Sequence, residues 1–292
     1  MKTSRFLTFA VVATMFAACN NENIPVDETK DTPITIASAG VAELTTRVIT
    51  DDNKLEGITD GEPATMSVFI TGGSETKYNA TNAKWEHNGT SWDSETDVFF
   101  EGRNSAQKIY ACSPFFFDST GSIAVNASEQ TDWLVATATG LTSSAVNLTM
   151  THALTKLVLV PTLGTELTSQ TITSVEVGGM YASGTLNVSD NSWSDLLEAN
   201  TTLAMANNEL LVIPMESCTS FPIVITMSDG RKFKATIDCP VISPEDAEEK
   251  VYGLAPGTQY NIKLQIGQDK VTLGEITASP WGYAAGGVLE TK

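Results

Sequence analysis

Positive charge is scarce in this sequence. The 292 residues include 17 lysines and arginines against 35 aspartates and glutamates, and the formal net charge at pH 7 is −18. A chain with this excess of negative charge repels the phosphate backbone of nucleic acids and anionic lipid head groups. The composition therefore predicts a protein that does not bind nucleic acid.

Histidine is almost absent, and so are the sequence motifs of common enzymes. The two histidines, His87 in a hairpin and His152 on an apolar strand face, have no ligand neighbours at metal-binding spacing. We find no nucleophile elbow, phosphate-binding glycine loop, zinc-protease motif or calcium loop. The sequence thus predicts no metal, no cofactor and no enzymatic activity, although a glycosidase pair of carboxylates cannot be recognised from spacing.

Long apolar runs are missing beyond the N-terminus. Lys2 and Arg5 precede an apolar run, Phe6 to Ala18, that is too short to span a bilayer of about 30 Å and is typical of an export signal. The alanines before Cys19 resemble the cleavage box of bacterial lipoproteins, in which the cysteine becomes the acylated N-terminus. Cys19 is therefore the predicted lipidation site, for palmitate or a similar chain, and secretion with an unmodified cysteine is the alternative.

Cysteine is rare as well, with four residues in the chain. Two of them, Cys218 and Cys239, flank a predicted hairpin and face each other if Ser228 and Asp229 form the centre of its turn. Export permits a disulfide between them, and two buried free thiols are the alternative. Cys112 is expected to be a free, buried thiol.

No long helical pattern is present, and almost every periodic segment has the period of two that is typical of β-strands. Tyr260, Ile262, Leu264 and Ile266 alternate with polar residues, and Val146, Leu148, Met150 and His152 share one strand face. Many short strands separated by turn residues predict β-sandwiches. The 274 residues that follow residue 18 allow two of them, with a boundary near Ser144.

Asn88 and Gly89 form a predicted type I′ turn that places Trp85 opposite Trp92. The simplest interpretation of this pair is core packing. The alternative is that Trp85 and Trp92 contact a glycan, because apolar ring faces stack on sugars.

Six short motifs, in order, resemble the fimbrillin-like proteins of Bacteroidetes, the subunits of type V pili. After the lipoprotein signal and Thr46-Arg47, these motifs are Met66 to Ile70, Ile109 to Pro114, Asp132 to Ala136, Thr151 to Lys156, Ala255 to Tyr260 and Ile276 to Trp281. The resemblance extends over most of the chain that follows the signal.

The resemblance implies two transthyretin-like β-sandwich domains in tandem after a signal peptide and a flexible linker. The implied segments are a lipoprotein signal peptide at 1–18, a pro-segment with a first strand at 19–47, an N-terminal β-sandwich at 48–144, a C-terminal β-sandwich at 145–281 and a tail at 282–292. The first strand is expected at Thr35–Ala37 or Val41–Leu44.

The resemblance further implies proteolytic processing after Arg47, which would remove the first strand and open an apolar groove. A donor strand of a neighbouring subunit would fill the groove, and this donor maps to the tail, with Val288 and Leu289 as anchors. The expected location is the outer membrane and the cell surface, and the expected partners are other pilus subunits and a surface receptor.

Two functions follow from these features. The first is a fimbrial subunit that serves adhesion as a stalk, tip or anchor. The alternative is a monomeric surface lipoprotein that binds glycans through the tryptophan hairpin.

Overall fold

The computed structural model describes residues 30–41, 58–59, 62–167, 169–197 and 199–281, and within these ranges the chain is all-β. The described ranges contain three short 3₁₀ helices, at Thr76–Tyr78, Ala127–Glu129 and Thr165–Leu167. The strands of the described residues are β1 Thr35–Val41, β2 Ile58–Thr59, β3 Glu62–Pro63, β4 Thr65–Thr71, β5 Ala80–His87, β6 Trp92–Ser94, β7 Lys108–Ser113, β8 Ser122–Asn126, β9 Leu134–Thr139, β10 Ala145–His152, β11 Thr155–Leu163, β12 Ile172–Met180, β13 Ser183–Asn187, β14 Ser192–Ser194, β15 Thr201–Ala204, β16 Glu209–Val212, β17 Ser220–Met227, β18 Lys232–Asp238, β19 Thr258–Ile266 and β20 Val271–Pro280.

A seven-stranded sheet carries the first hydrophobic core. Its strand order is β1-β10-β9-β7-β4-β5-β6, and β2 and β3 form a separate small hairpin. The first core includes Met66, Phe100 and Met150, each of which is fully buried. Along β10, every second side chain from Val146 to His152 is buried, as the period-two pattern predicts.

Two four-stranded sheets enclose the second core. Their orders are β16-β11-β19-β20 and β15-β12-β17-β18. Leu157 and Tyr260 of the first of these sheets share a buried cluster with Ile223 and Phe233 of the other. The predicted alternation along β19 is confirmed, since Tyr260 and every second residue after it are buried. This layered arrangement of two apolar sheet faces is a β-sandwich.

The expected boundary at Ser144 is wrong, because β10 belongs to the seven-stranded sheet and its apolar side chains fill the first core. The strands of the two four-stranded sheets begin at Thr155, with β11. In addition, β8 pairs with β13 in a three-stranded sheet and inserts Ile123 and Val125 into the second core. The two cores are therefore not built from two consecutive halves of the chain.

Candidate functional site

The site that bears on function is the edge strand β1, which precedes Arg47 in sequence. It pairs in parallel with β10, from Thr35 opposite Ala145 to Val41 opposite Met150. The register shifts at Ala37, the one residue of β1 that has no partner on β10. Among the strands that the structure describes, none lies on the outer side of β1 in the seven-stranded sheet. The first strand expected from the sequence is thus present as an edge strand, and it extends beyond Ala37.

β1 also contributes to the first core. Ile36 and Ala39 are 4% and 0% exposed, and Ile34, just before the strand, is 4% exposed. These side chains pack in the cluster that contains Val146 and Leu148 of β10. Removal of β1 would therefore expose one side of the core as well as the backbone edge of β10.

The residues that lead into β1 bind a second segment of the chain. Ile34 N donates to Val98 O at 2.7 Å, and Asp31 N donates to Phe100 O at 2.8 Å. Phe100 N donates in return to Thr32 O at 2.8 Å. Residues 31–41 consequently connect two separate segments of the chain, at 98–100 and in β10.

Asp31 fixes the start of this segment by an ion pair. Its carboxylate lies 2.7 Å from Lys77 Nζ and accepts a hydrogen bond of 2.6 Å from the Tyr78 hydroxyl. The Lys77 and Tyr78 hydrogen bonds hold the pKa of Asp31 below its usual value of 3.8, and the hydrogen bond with Asp31 raises the pKa of Lys77. Sequence reasoning did not find this pair, because the two partners lie far apart in the chain.

His152, at the end of β10, contacts Trp281, the last residue that the structure describes. The ring of Trp281 stacks on His152 with centroids 3.7 Å apart, and Trp281 N donates to Gly257 O at 2.8 Å. His152 Nδ1 lies 2.9 Å from Asp132 Oδ1, which fits the core or interface role expected of this histidine. Since Val41 pairs with Met150, Val41 and Trp281 both lie near the C-terminal end of β10.

A disulfide joins Cys218 and Cys239 across the β17–β18 hairpin, with the two Cα atoms 6.0 Å apart. The observed register pairs Ser220 with Asp238 and centres the turn on Asp229. This register differs by one residue from the one expected, and the two cysteines are therefore not directly opposite each other.

The expected pairing of Trp85 with Trp92 is wrong. His87 is the residue opposite Trp92, because the Asn88 side chain accepts hydrogen bonds from the backbone of the next residues and makes a longer loop. Both tryptophans are 4% exposed, and His87 is 5% exposed. Neither tryptophan ring face is accessible, so the structure places this pair in the core and gives no support to a glycan contact there.

Sequence reasoning missed a surface formed by residues 115–117. Phe115 and Phe117 pack edge to face with centroids 4.9 Å apart, and Phe117 is 97% exposed. The available signal was three consecutive phenylalanines between Pro114 and the polar turn that begins at Asp118, because such a run cannot point entirely into a core.

Several predicted site residues lie outside the described residues. These are Cys19, Arg47, Val288 and Leu289. In the described ranges, no group of three or more metal-ligating side chains is present. The same ranges contain no helix that is long and apolar enough to cross a membrane.

The chain matches the fimbrillin-like family over residues 46–281. Because this match covers most of the sequence, the protein belongs to the fimbrillin-like family, and the resemblance seen in the sequence motifs is confirmed. Membership supports a role as a fimbrial subunit in a cell-surface appendage and implies a structural rather than an enzymatic function. No curated protein sequence matches the chain.

Solved structures share the architecture. A proposed cell adhesion protein from Bacteroides uniformis has a TM-score of 0.62 at 18% identity, covering 85% of this chain and 99% of its own. A similar protein from Bacteroides ovatus has a TM-score of 0.63 at 17% identity, covering 86% and 98%. The tip fimbrial protein Mfa3 from Porphyromonas gingivalis, with a C-terminal truncation, has a TM-score of 0.52 at 10% identity, covering 86% and 100%. At these identities the likeness shows a shared fold.

Proposed function

We propose that this protein is a pilus subunit that is exported as a lipoprotein through Cys19, cut after Arg47 and polymerised by strand exchange. The observation that carries the proposal is the position of β1. This strand is both an edge strand and part of the first core, and it precedes the predicted cleavage site in the chain. A single cut can therefore separate β1 from the rest of the fold.

Loss of β1 would leave two kinds of unsatisfied surface. The backbone edge of β10 would lose its partners from Ala145 to Met150, and unpaired edge groups are templates for another strand. The apolar positions occupied by Ile36 and Ala39 would be vacated. A donor strand with apolar residues at alternate positions would satisfy both surfaces.

The proposed donor is the tail 282–292 of a neighbouring subunit. Val288 and Leu289 are adjacent, and adjacent side chains in a strand point to opposite faces. One of the two therefore enters the vacated core of the partner subunit, and the other faces outward. We therefore compare Val288→Asn with Leu289→Asn. The substitution at the inward-facing residue should abolish filament assembly, whereas the substitution at the outward-facing residue should leave assembly nearly unchanged.

In this proposal acylation at Cys19 precedes cleavage after Arg47, so the lipid of a cut subunit serves only the transport of that subunit to the cell surface. Acyl chains on Cys19 would tether the precursor to the outer membrane until cleavage after Arg47 releases the subunit into the fimbrium. A subunit that is not cut would keep its tether and serve as an anchor. Stalk and tip subunits would both be cut, and their partners would be other pilus subunits, with a surface receptor bound by the assembled fibre.

The test is electron microscopy of the chain from residue 20 to residue 292 after digestion with an arginine-specific protease, with intact mass to locate the cut. Arg103 is exposed and is a second potential cleavage site, so Arg47→Lys and Arg103→Lys form a matched pair that keeps the charge and blocks each site. We expect filaments and a chain beginning at Val48 from the wild type and from Arg103→Lys, and neither from Arg47→Lys.

Filaments from the protease-treated Arg47→Lys protein would contradict processing at this site. A clean cut at Arg47 without filaments would indicate a tip subunit or one that needs a different donor. Resistance of the folded protein at Arg47 would favour an anchor or a monomeric lipoprotein.

A further inference from the structure

A surface cavity next to β5 lies outside the β1 site. Its volume is about 650 Å³, within the range of ligand pockets in proteins. The residues that line it include Thr76, Thr81, Asn82, Lys84, Glu95 and Phe117.

Phe117 gives this cavity an accessible apolar face. Its side chain is 97% exposed, and its ring rests on the edge of Phe115, which also lines the cavity. Among the described residues up to His152, Phe117 is the one large apolar side chain that is exposed. A single exposed ring beside a concave polar wall does not form the contiguous apolar patch that is typical of a protein interface.

The segment that carries the two rings is held in place by hydrogen bonds. Asn82 Nδ2 donates to Phe116 O at 2.7 Å and to Asp118 O at 2.6 Å. Ser67 Oγ exchanges hydrogen bonds with the backbone of Phe116, at 3.1 and 3.3 Å. Little ordering is therefore needed for a ligand to stack on Phe117, which favours binding.

The polar residues of the cavity include groups that donate hydrogen bonds and groups that accept them. Asn82 has a structural role at this wall, since its Nδ2 donates to two backbone oxygens and its Oδ1 is buried. Thr81 and Glu95 line the cavity and are exposed, and both can bind hydroxyl groups of a ligand.

The charges at the cavity favour an uncharged ligand. Lys84 Nζ is paired with Glu86 at 2.8 Å. The hydrogen bond with Glu86 and, to a smaller extent, the negative charges of Glu86 and Glu95 raise the pKa of Lys84. The cation is thus compensated, and the remaining carboxylate of Glu95 repels anions, as does the net charge of −18.

We propose that this cavity, which we call the Phe117 cavity, binds an uncharged saccharide. One face of the sugar ring stacks on Phe117, and its hydroxyl groups bond to Thr81 and Glu95. This inference concerns a different surface from strand exchange, so either proposal can fail without the other.

The experiment measures binding of residues 20–292 to an array of printed glycans that end in galactose, glucose, mannose or N-acetylglucosamine, with sialylated counterparts. We expect binding to at least one uncharged glycan and weaker binding to its sialylated form. Phe117→Ala should reduce the affinity by about tenfold or more, because truncation of a central aromatic anchor removes much of the binding energy. Phe117→Tyr keeps the ring face and should retain binding.

Tyr252→Ala is the matched control, because Tyr252 is an exposed aromatic residue, 45% accessible, that does not line the cavity. It should bind as the wild type does. No binding to any uncharged glycan, a preference for the sialylated forms, or equal affinity of Phe117→Ala and Tyr252→Ala would each overturn the proposal. Equal melting temperatures of the two variants exclude misfolding as the cause of a loss.

Discussion

Ile36 of β1 lies opposite Val146 of β10 in parallel register, and both side chains are buried in the first core. The pair links a segment that precedes Arg47 to the sheet that remains after a cut at that residue. The free energy of unfolding of the uncut chain and the rate at which β1 dissociates after cleavage should therefore both depend on this contact.

Ile36→Ala tests this dependence. Removal of a buried isoleucine side chain should lower the free energy of unfolding of residues 20–292 by about 2–5 kcal/mol, measured by urea denaturation. Thr35→Ala, at an exposed position of the same strand, should change it by less than about 0.5 kcal/mol. If cleavage at Arg47 leads to strand exchange, Ile36→Ala should also speed filament formation, because β1 is held less tightly. Equal unfolding energies for both variants would contradict the role of Ile36 in the core.

Asp31 should hold the start of the pro-segment in a pH-dependent manner. Because hydrogen bonds with Lys77 and Tyr78 lower its pKa below 3.8, the stabilisation is present above that value and is lost as the pH falls through the lower, folded-state pKa. Hydrogen exchange, expressed as protection factors for residues 30–41, should be faster in Asp31→Asn than in the wild type at pH 7.

The difference between Asp31→Asn and the wild type should vanish once the wild-type carboxyl group is protonated, well below pH 3.8. Thr32→Val is a suitable control, since Thr32 contributes its backbone oxygen to the pairing with Phe100 and this contact is kept. A difference that stays constant between pH 7 and pH 2.5 would show that the carboxylate charge is not responsible.

The sequence predicts the strands well and their partners poorly. Tyr260 and Ile262 lie on a buried face as the alternation indicates, since period two is a local property of the chain. By contrast, β8 pairs with β13, and Ala124 lies opposite Thr185. Such a pairing depends on contacts between distant residues, and no local pattern of residues specifies it.

The hairpin between Trp85 and Trp92 shows how a local prediction can fail as well. An Asn-Gly pair favours a two-residue turn in which both residues have positive φ. Here Gly89 has a φ of +94°, and Asn88 instead accepts hydrogen bonds from Thr90 N and Ser91 N. The side chain of Asn88 thus competes with the backbone turn, as asparagine commonly does, and the register changes.

The Cys218–Cys239 disulfide should stabilise the second core. The two cysteines are 21 residues apart, and closure of a loop of this size stabilises a protein by about 3 kcal/mol. We expect the Cys218→Ser/Cys239→Ser variant to lose about this much free energy of unfolding under oxidising conditions. Addition of dithiothreitol should destabilise the wild type and leave the double variant unchanged.

Cys112 is the internal control for that experiment. It is buried and free, and burial raises the pKa of its thiol, so it should be slow to react. Labelling of the folded, unreduced protein with iodoacetamide should therefore modify none of the three described cysteines. Rapid labelling of Cys218 or Cys239 would show that the disulfide does not form in solution.

The stacking of Trp281 on His152 should couple the end of β20 to the end of β10. The ring centroids are 3.7 Å apart with an interplanar angle of 12°, and an aromatic pair of this kind is worth about 0.5–1.5 kcal/mol beyond its buried area. A double-mutant cycle with His152→Ala and Trp281→Ala should give a coupling energy in that range, measured by urea denaturation. Thr149→Ala, at an exposed position of β10, should be additive with Trp281→Ala. Additivity of the His152 and Trp281 variants would mean that the ring stack contributes nothing. A measured coupling would show that Trp281, the residue before the proposed donor tail, is held beside the end of β10.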